Sequence, residues 1–328
     1  MAELLEVEDL KTHFVTRRAV VRAVDGITFT VRRGEALGLA GETGSGKSVA
    51  ARSIMRIVRE PPAKVSARRL ALEGEDILGL GKARLRDMWG KRISMIFQDP
   101  SGYLNPLLTV GAQMTDVIRR HEGVSRRAAL EAAADMLDMV GMPEPPSVLE
   151  RYPFQLSGGM QQRVMIAMSL SCRPSLLIAD EPTTALDVTI QAQIIDLLRR
   201  LKEKTSGLIL ITHDLAVIAG LCDTVAVMYA GKLVEKGPVG AVLGSPAHPY
   251  TRGLLEAIPD AGAARDSLPF VRGNIPSAIA PPPGCRFSPR CDLVTRECRE
   301  LEPEWREVEP GHSIACHLAV CGGGAGVA

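Results

Sequence analysis

The chain has 328 residues, more than one hydrophobic core usually organises, so a large domain with an appendage or two domains are expected. Hydrophobic residues make up 46% and charged residues 23%, which excludes a disordered chain, and 39 Lys plus Arg against 38 Asp plus Glu excludes a fold that grips nucleic acid by overall charge. The N-terminal MAELLEVEDL has no basic or apolar signal region, and the longest apolar stretch, 208 to 230, is broken by His213, Asp214 and Asp223, so a cytosolic chain that at most attaches to a membrane peripherally is expected.

Residues 4 to 40 alternate apolar and polar positions, as in Ile27-Thr28-Phe29-Thr30-Val31, and predict short strands joined by turns; Ala67 to Leu78 continues the style. The run Ala36 to Ala40 predicts a buried strand. It leads into Gly41-Glu42-Thr43-Gly44-Ser45-Gly46-Lys47-Ser48, followed by a helical pattern from Ser48 to Ile57. This loop fits GxxxxGK[ST]. Its glycines let successive N–H groups converge on an anion, and the helix adds its positive end. Lys47 would reach the β and γ phosphates of a nucleotide, and Ser48 would hold magnesium.

From about Thr109 to Gly159 the spacing is helical. Ser125 predicts an N-cap, Leu130, Ala134, Leu137 and Val140 an apolar face, and Gly141 a stop. Leu176 to Ala179 reads as a strand covered on both faces. It delivers Asp180 and Glu181 to its carboxyl end, where ligands of open α/β sheets gather. Asp180 would bind magnesium and Glu181 would take a proton from an attacking water. A helix from 188 to 203 and a strand at 208 to 211 follow, so strands alternate with helices in a parallel sheet of the α/β class. Residues 225 to 235 predict a hairpin that closes that domain.

After about Gly244 prolines cluster, and Cys285, Cys291, Cys298 and Cys316 are spaced C-x5-C-x6-C-x17-C. A small second domain is expected there, which a metal staple would stabilise; the spacing leaves iron–sulfur no better than level with zinc, and free thiols are the further alternative. Cys172 and Cys222 read as buried small hydrophobes, and Cys321 lies outside the set.

Leu156-Ser157-Gly158-Gly159-Met160, followed by Gln161-Gln162-Arg163, resembles the signature motif of ABC-type ATPases. Gln98 in FQDP resembles that family's Q-loop, LLIADEP its Walker B strand, Ala185-Leu186-Asp187 its D-loop, and Thr212-His213-Asp214 its switch histidine. Phe14 lies where the family stacks an aromatic on adenine. The resemblance runs from about Leu4 to Pro246. It implies a P-loop NTPase cassette over residues 1–245, with a RecA-like sheet lobe, an N-terminal antiparallel β region and a helical subdomain at about 105–160.

It implies, further, that two cassettes pair head to tail, so that Ser157, Gly158 and Gly159 contact ATP held by the partner. Gln98, Asp180 and Ser48 would hold magnesium, with Glu181, His213 and Gln98 catalytic. Met160, where most of the family has glutamine, is common in the peptide-importing branch. His248-Pro249-Tyr250-Thr251, GCRFSPRC and ACHL look like the C-terminal extension, residues 246–328, of the oligopeptide and dipeptide import ATPases, whose four cysteines are taken to hold a [4Fe–4S] cluster.

The resemblance therefore implies an ATP-hydrolysing subunit that powers di- or oligopeptide import. Its expected place is the cytoplasmic face of the membrane. Its partners would be a second cassette subunit of different sequence, two transmembrane permeases and, indirectly, an extracytoplasmic binding protein, with no nucleic acid. The alternatives are import of nickel or another small solute, or a soluble ATPase acting on nucleic acid or ribosomes.

Overall fold

The computed structural model of the chain describes residues 3–184, 187–202, 205–257 and 273–318. They fall into two compact units, neither continuous in sequence. One gathers Val31–Ala36 and Glu73–Ile211; the other gathers Leu5–Thr30, Leu37–Leu72 and the described residues from Thr212 onward.

In the first unit the strands Ile93–Ile96, Leu176–Asp180 and Gly207–Ile211 pair in parallel, with Ile93 beside Leu176 and Leu176 beside Gly207. Every residue in them is buried, as continuous Ile and Leu runs require when both faces of a sheet are covered. The helices Val110–Glu122, Arg126–Met139, Gly158–Leu170 and Val188–Lys202 belong to the same unit.

Thr109 and Ser125 cap two of these helices by accepting from the N–H groups of Ala112 (3.2 Å) and Ala128 (3.3 Å), and Gly123 ends the first at φ 66°. Of the face expected on Arg126–Met139 and just beyond, Leu137 and Val140 are buried. The deepest stripe within the helix runs one residue earlier, through Ala129 and Ala133. Leu130 and Ala134 instead line an open cleft of about 610 Å³ with Thr109, Thr115 and Leu149.

In the second unit the strand Glu3–Val15 pairs antiparallel with Ala63–Ser66 and Arg69–Leu72, Phe14 opposite Ala63 and Leu5 opposite Leu72. Residues Leu37 to Ala40 of the strand Ala36–Ala40 lie parallel to Thr224–Tyr229, which turns back as Lys232–Pro238. The expected hairpin is present, but the sheet does not end there. His312–Ala315 pairs with Lys232–Pro238, and Trp305–Glu309 pairs with His312–Ala315. An open strand edge exposes unpaired N–H and C=O groups, and the extension covers this one. Glu235, fully buried, fixes the junction: it bonds His312 Nε2 at 2.7 Å and accepts from the N–H groups of Ala247 (2.7 Å) and His248 (3.1 Å).

Candidate functional site

The phosphate-type loop opens as the strand Ala36–Ala40 ends, and it needs its glycines. Gly41, Gly44 and Gly46 have φ of 142°, 85° and 106°. A Cβ on Gly41 would lie 2.2 Å from the Met228 carbonyl oxygen, and one on Gly46 2.3 Å from that of Ala23, so close backbone approach adds to the conformational demand. Gly46 caps the helix Lys47–Ile54 without any side-chain bond, so no side chain of the cap occupies the positive end that an anion would take. Lys47 is 4% exposed, and its ammonium donates to the carbonyls of Gly41 (2.6 Å) and Glu42 (2.9 Å), which holds the charge over the loop. Ser45 is buried, Ser48 half-buried, and Thr43 and Gly44 are exposed.

The strand bearing half-buried Phe14 is tied to this helix through Thr12 Oγ1 and Ser53 Oγ, 2.7 Å apart. Ser53 spends its hydrogen on Val49 O, so Thr12 is the donor. His213 is exposed, after buried Thr212 and before exposed Asp214, whose carboxylate caps the helix Leu215–Leu221 by accepting from Ala216 N (2.8 Å) and Val217 N (3.3 Å).

In the other unit Asp180 is the fully buried last residue of its strand. Glu181 then turns at φ 45°, an uncommon conformation for a residue with a Cβ, secured by its N–H bond to Ile211 O at 2.9 Å. Its Oε2 accepts from Thr184 Oγ1 (2.8 Å) and from Gln98 Nε2 (3.1 Å). Gln98 is exposed beside Phe97, whose ring stacks on Tyr103 at 3.7 Å. Ser157 caps the helix Gly158–Leu170 through Met160 N–H at 3.4 Å; it and Gly158 are exposed. Gly159 is half-buried and passes close to Ile190, 3.2 Å from where its Cβ would be. Ala185 and Leu186 lie outside the described residues, as does Cys321; Asp187 accepts from Ile190 N–H at 2.9 Å.

Cys285, Cys291, Cys298 and Cys316, distant in sequence, line one small cavity with His248, Phe287 and His317. None of the four is in a disulfide among the described residues, and Cys172 and Cys222 are buried as expected. Burial, reinforced by the neighbouring sulfurs, pushes the Cys285 thiol up to about 11. His248 is 1% exposed, and burial pushes its ring down to about 3, so it is neutral. Its Nδ1 accepts from Tyr250 N–H at 3.0 Å, which puts the ring hydrogen on Nε2, and Nε2 has no bonding partner among the described residues. A thiol donor set with an orphaned N–H beside it suits a group rich in sulfur. Among the described residues, however, no group of three or more His, Cys, Asp or Glu side chains is arranged to hold a metal ion, and the cavity of about 10 Å³ has room for one water, so larger contents require these loops to spread.

The sequence did not reveal what surrounds Glu42. Its N–H donates to Tyr250 Oη at 2.9 Å, and its carboxylate accepts from Arg290 Nη1 (2.8 Å) and Nη2 (3.0 Å). Partners 208 and 248 residues away carry no local signal.

Residues 24–184 match the family described as ABC transporter, and residues 234–298 match the oligopeptide/dipeptide transporter C-terminal region. The dipeptide transport ATP-binding protein DppD of Escherichia coli (strain K12) is 46% identical over 315 residues, 96% of each chain. The oligopeptide transport ATP-binding protein AppD of Bacillus subtilis (strain 168) is 43% identical over 319 residues, 97% of each. Among solved structures, the dimeric structure of MJ0796, a bacterial ABC transporter cassette, has a TM-score of 0.64 at 24% identity and covers 72% of this chain and 98% of that one, a likeness of fold.

Proposed function

Because the chain belongs to the ABC transporter ATP-binding proteins and carries the oligopeptide/dipeptide C-terminal region, we propose that it is the ATPase subunit that powers import of di- or oligopeptides. The observation that carries the reading is similarity over nearly the whole length, extension included, to proteins named for dipeptide and oligopeptide transport. No helix among the described residues is long and apolar enough to cross a membrane, and an ATPase of this class works with transmembrane permeases. In this reading it sits at the cytoplasmic face. Leu107, 82% exposed, and Phe154, 70% exposed, offer apolar footing for permease segments in the unit that holds Gln98.

ATP hydrolysis needs the triphosphate held, its charge offset and a water activated. The amides of Gly44 to Ser48 and the Lys47 ammonium would take the β and γ phosphates, with Phe14 against the adenine. Magnesium, when bound, would offset charge on the phosphate oxygens; Ser48, Asp180 and Gln98 offer the hydroxyl, carboxylate and amide oxygens such a hard cation takes. Glu181, aimed by Gln98 and Thr184, would accept the proton as a water oxygen attacks the γ-phosphorus and ADP departs. His213 would contact the γ-phosphate. Ser157, Gly158 and Gly159 would present a helix N-terminus to ATP on a second cassette subunit of different sequence, so each site is complete only in the dimer. Cys285, Cys291, Cys298 and Cys316 would hold a [4Fe–4S] cluster, which would supply a structural staple to residues 246–328. An extracytoplasmic binding protein would deliver the peptide to the permeases.

A strain lacking this chain and needing one amino acid, supplied only within a dipeptide, tests the reading. The intact chain should restore growth and the Glu181→Gln variant should not. Restoration of nickel uptake with no effect on peptide uptake would overturn the substrate assignment.

A further inference from the structure

Glu42 places a carboxylate inside the loop that must receive a polyanion, and left bare it would repel the triphosphate. The chain answers with residues from its C-terminal extension. Arg290 meets the carboxylate with both terminal nitrogens, its side chain only 4% exposed, and its guanidinium carbon lies 5.6 Å from the centroid of the Tyr229 ring. Tyr250, fully buried between Tyr229 (4.6 Å between centroids) and Phe287 (5.4 Å), accepts the Glu42 N–H. Glu42 O in turn accepts from the Lys47 ammonium at 2.9 Å. One loop residue is thus fixed at its amide, carbonyl and carboxylate, and two of the three partners come from the extension. Planar two-pronged bonding and ring packing leave Arg290 little freedom, so the neutralising charge stays where it is.

We propose that Arg290 and Tyr250 are positioning residues for ATP: Arg290 cancels the charge of Glu42 and, with Tyr250, holds the start of the phosphate loop in its binding shape, so the extension sets nucleotide affinity. The proposal rests on the loop's reading as the ATP site.

Titration of the full-length protein with a fluorescent ATP analogue tests it, with thermal melting as a check of folding. Arg290→Met should weaken binding about tenfold, raising KM for ATP with little change in kcat. Adding Glu42→Gln to that variant should recover most of the loss, because the uncompensated charge is then gone. Tyr250→Phe, which removes only the oxygen that accepts the Glu42 N–H, should weaken binding about threefold. If Arg290→Met fails to fold, Arg290→Lys replaces it and should fall between the wild type and a full loss. Wild-type affinity in a folded Arg290 variant, or a double variant no better than Arg290→Met alone, would overturn the proposal by reducing the contact to a tether. Failure of the wild-type protein to bind the analogue would instead strike the reading of the loop itself.

Discussion

The side-chain amide of Gln98 donates to Glu181 Oε2 at 3.1 Å, tying the segment after the strand Ile93–Ile96 to the carboxylate beyond its parallel neighbour Leu176–Asp180. Thr184 Oγ1 donates to the same oxygen at 2.8 Å. Two donors on one oxygen fix the direction in which the carboxylate faces. Glu181→Gln should therefore keep ATP binding and lose turnover by about 10²- to 10⁴-fold, the usual weight of a general base. Thr184→Val leaves the base but frees its orientation, and kcat should fall about tenfold at unchanged KM, in contrast to the effect of Arg290→Met. Steady-state kinetics on the assembled ATPase separate the two patterns.

Loop glycines differ in what they tolerate. Gly44 has φ 85° but open space where a Cβ would sit, so Gly44→Ala should cost only the conformational strain, about 1–2 kcal/mol. Gly46→Ala drives a methyl to 2.3 Å from the Ala23 carbonyl oxygen, which the backbone can relieve only by moving the loop. That variant should lose more stability in urea unfolding and bind no measurable ATP, whereas Gly44→Ala should still bind.

The parts of this molecule legible in the sequence are the ones whose causes are local. Gly41 to Ser48 sits between a strand and a helix because glycine geometry and apolar runs act over a few residues, and Ser125 caps its helix for the same reason. On Arg126–Met139 the expected face holds at Leu137 but is one residue late at Leu130 and Ala134, because alanines at 129 and 133 carry little hydrophobic signal yet occupy the buried side. Glu235 in Lys-Leu-Val-Glu-Lys gives no sign of burial until His312 and two amides reach it. Arg290 and Glu42, likewise, are ordinary charges until folding joins them across 248 residues.

Acid should weaken the attachment of the extension at Asp25. This carboxylate bonds His13 Nε2 at 2.8 Å and pairs with Arg286 of the extension. Burial pushes the Asp25 carboxyl up, but the His13 bond and the charges of Lys232 and Arg286 outweigh it and hold it below the usual range. As pH falls, the unfolded chain takes up the proton first. The stabilisation is therefore present above about pH 4 and is lost as pH drops through the lower folded value. Asp25→Asn should melt below the wild type at pH 6 to 7, about the pH of most assays, and the gap should narrow as pH falls toward about 3. A gap that stays constant across calorimetric scans over that range would contradict the assignment.

The cysteine cavity makes a demand of its own. Four cysteines and His248 line one cavity, and the His248 Nε2–H has no acceptor among the described residues; sulfur of a bound cluster would be such an acceptor. Anaerobically prepared protein should then be brown and contain iron and acid-labile sulfide. Alanine at Cys285, Cys291, Cys298 or Cys316 should remove both. Cys172→Ala and Cys222→Ala should keep them, because those two side chains are buried outside the set that lines the cavity. Zinc and iron–sulfur are separated by the same measurement: colourless wild-type protein with one zinc per chain would reject the cluster and leave His248 without an acceptor. Loss of iron in the Cys172 or Cys222 variant would show that the thiols of this cavity do not act alone.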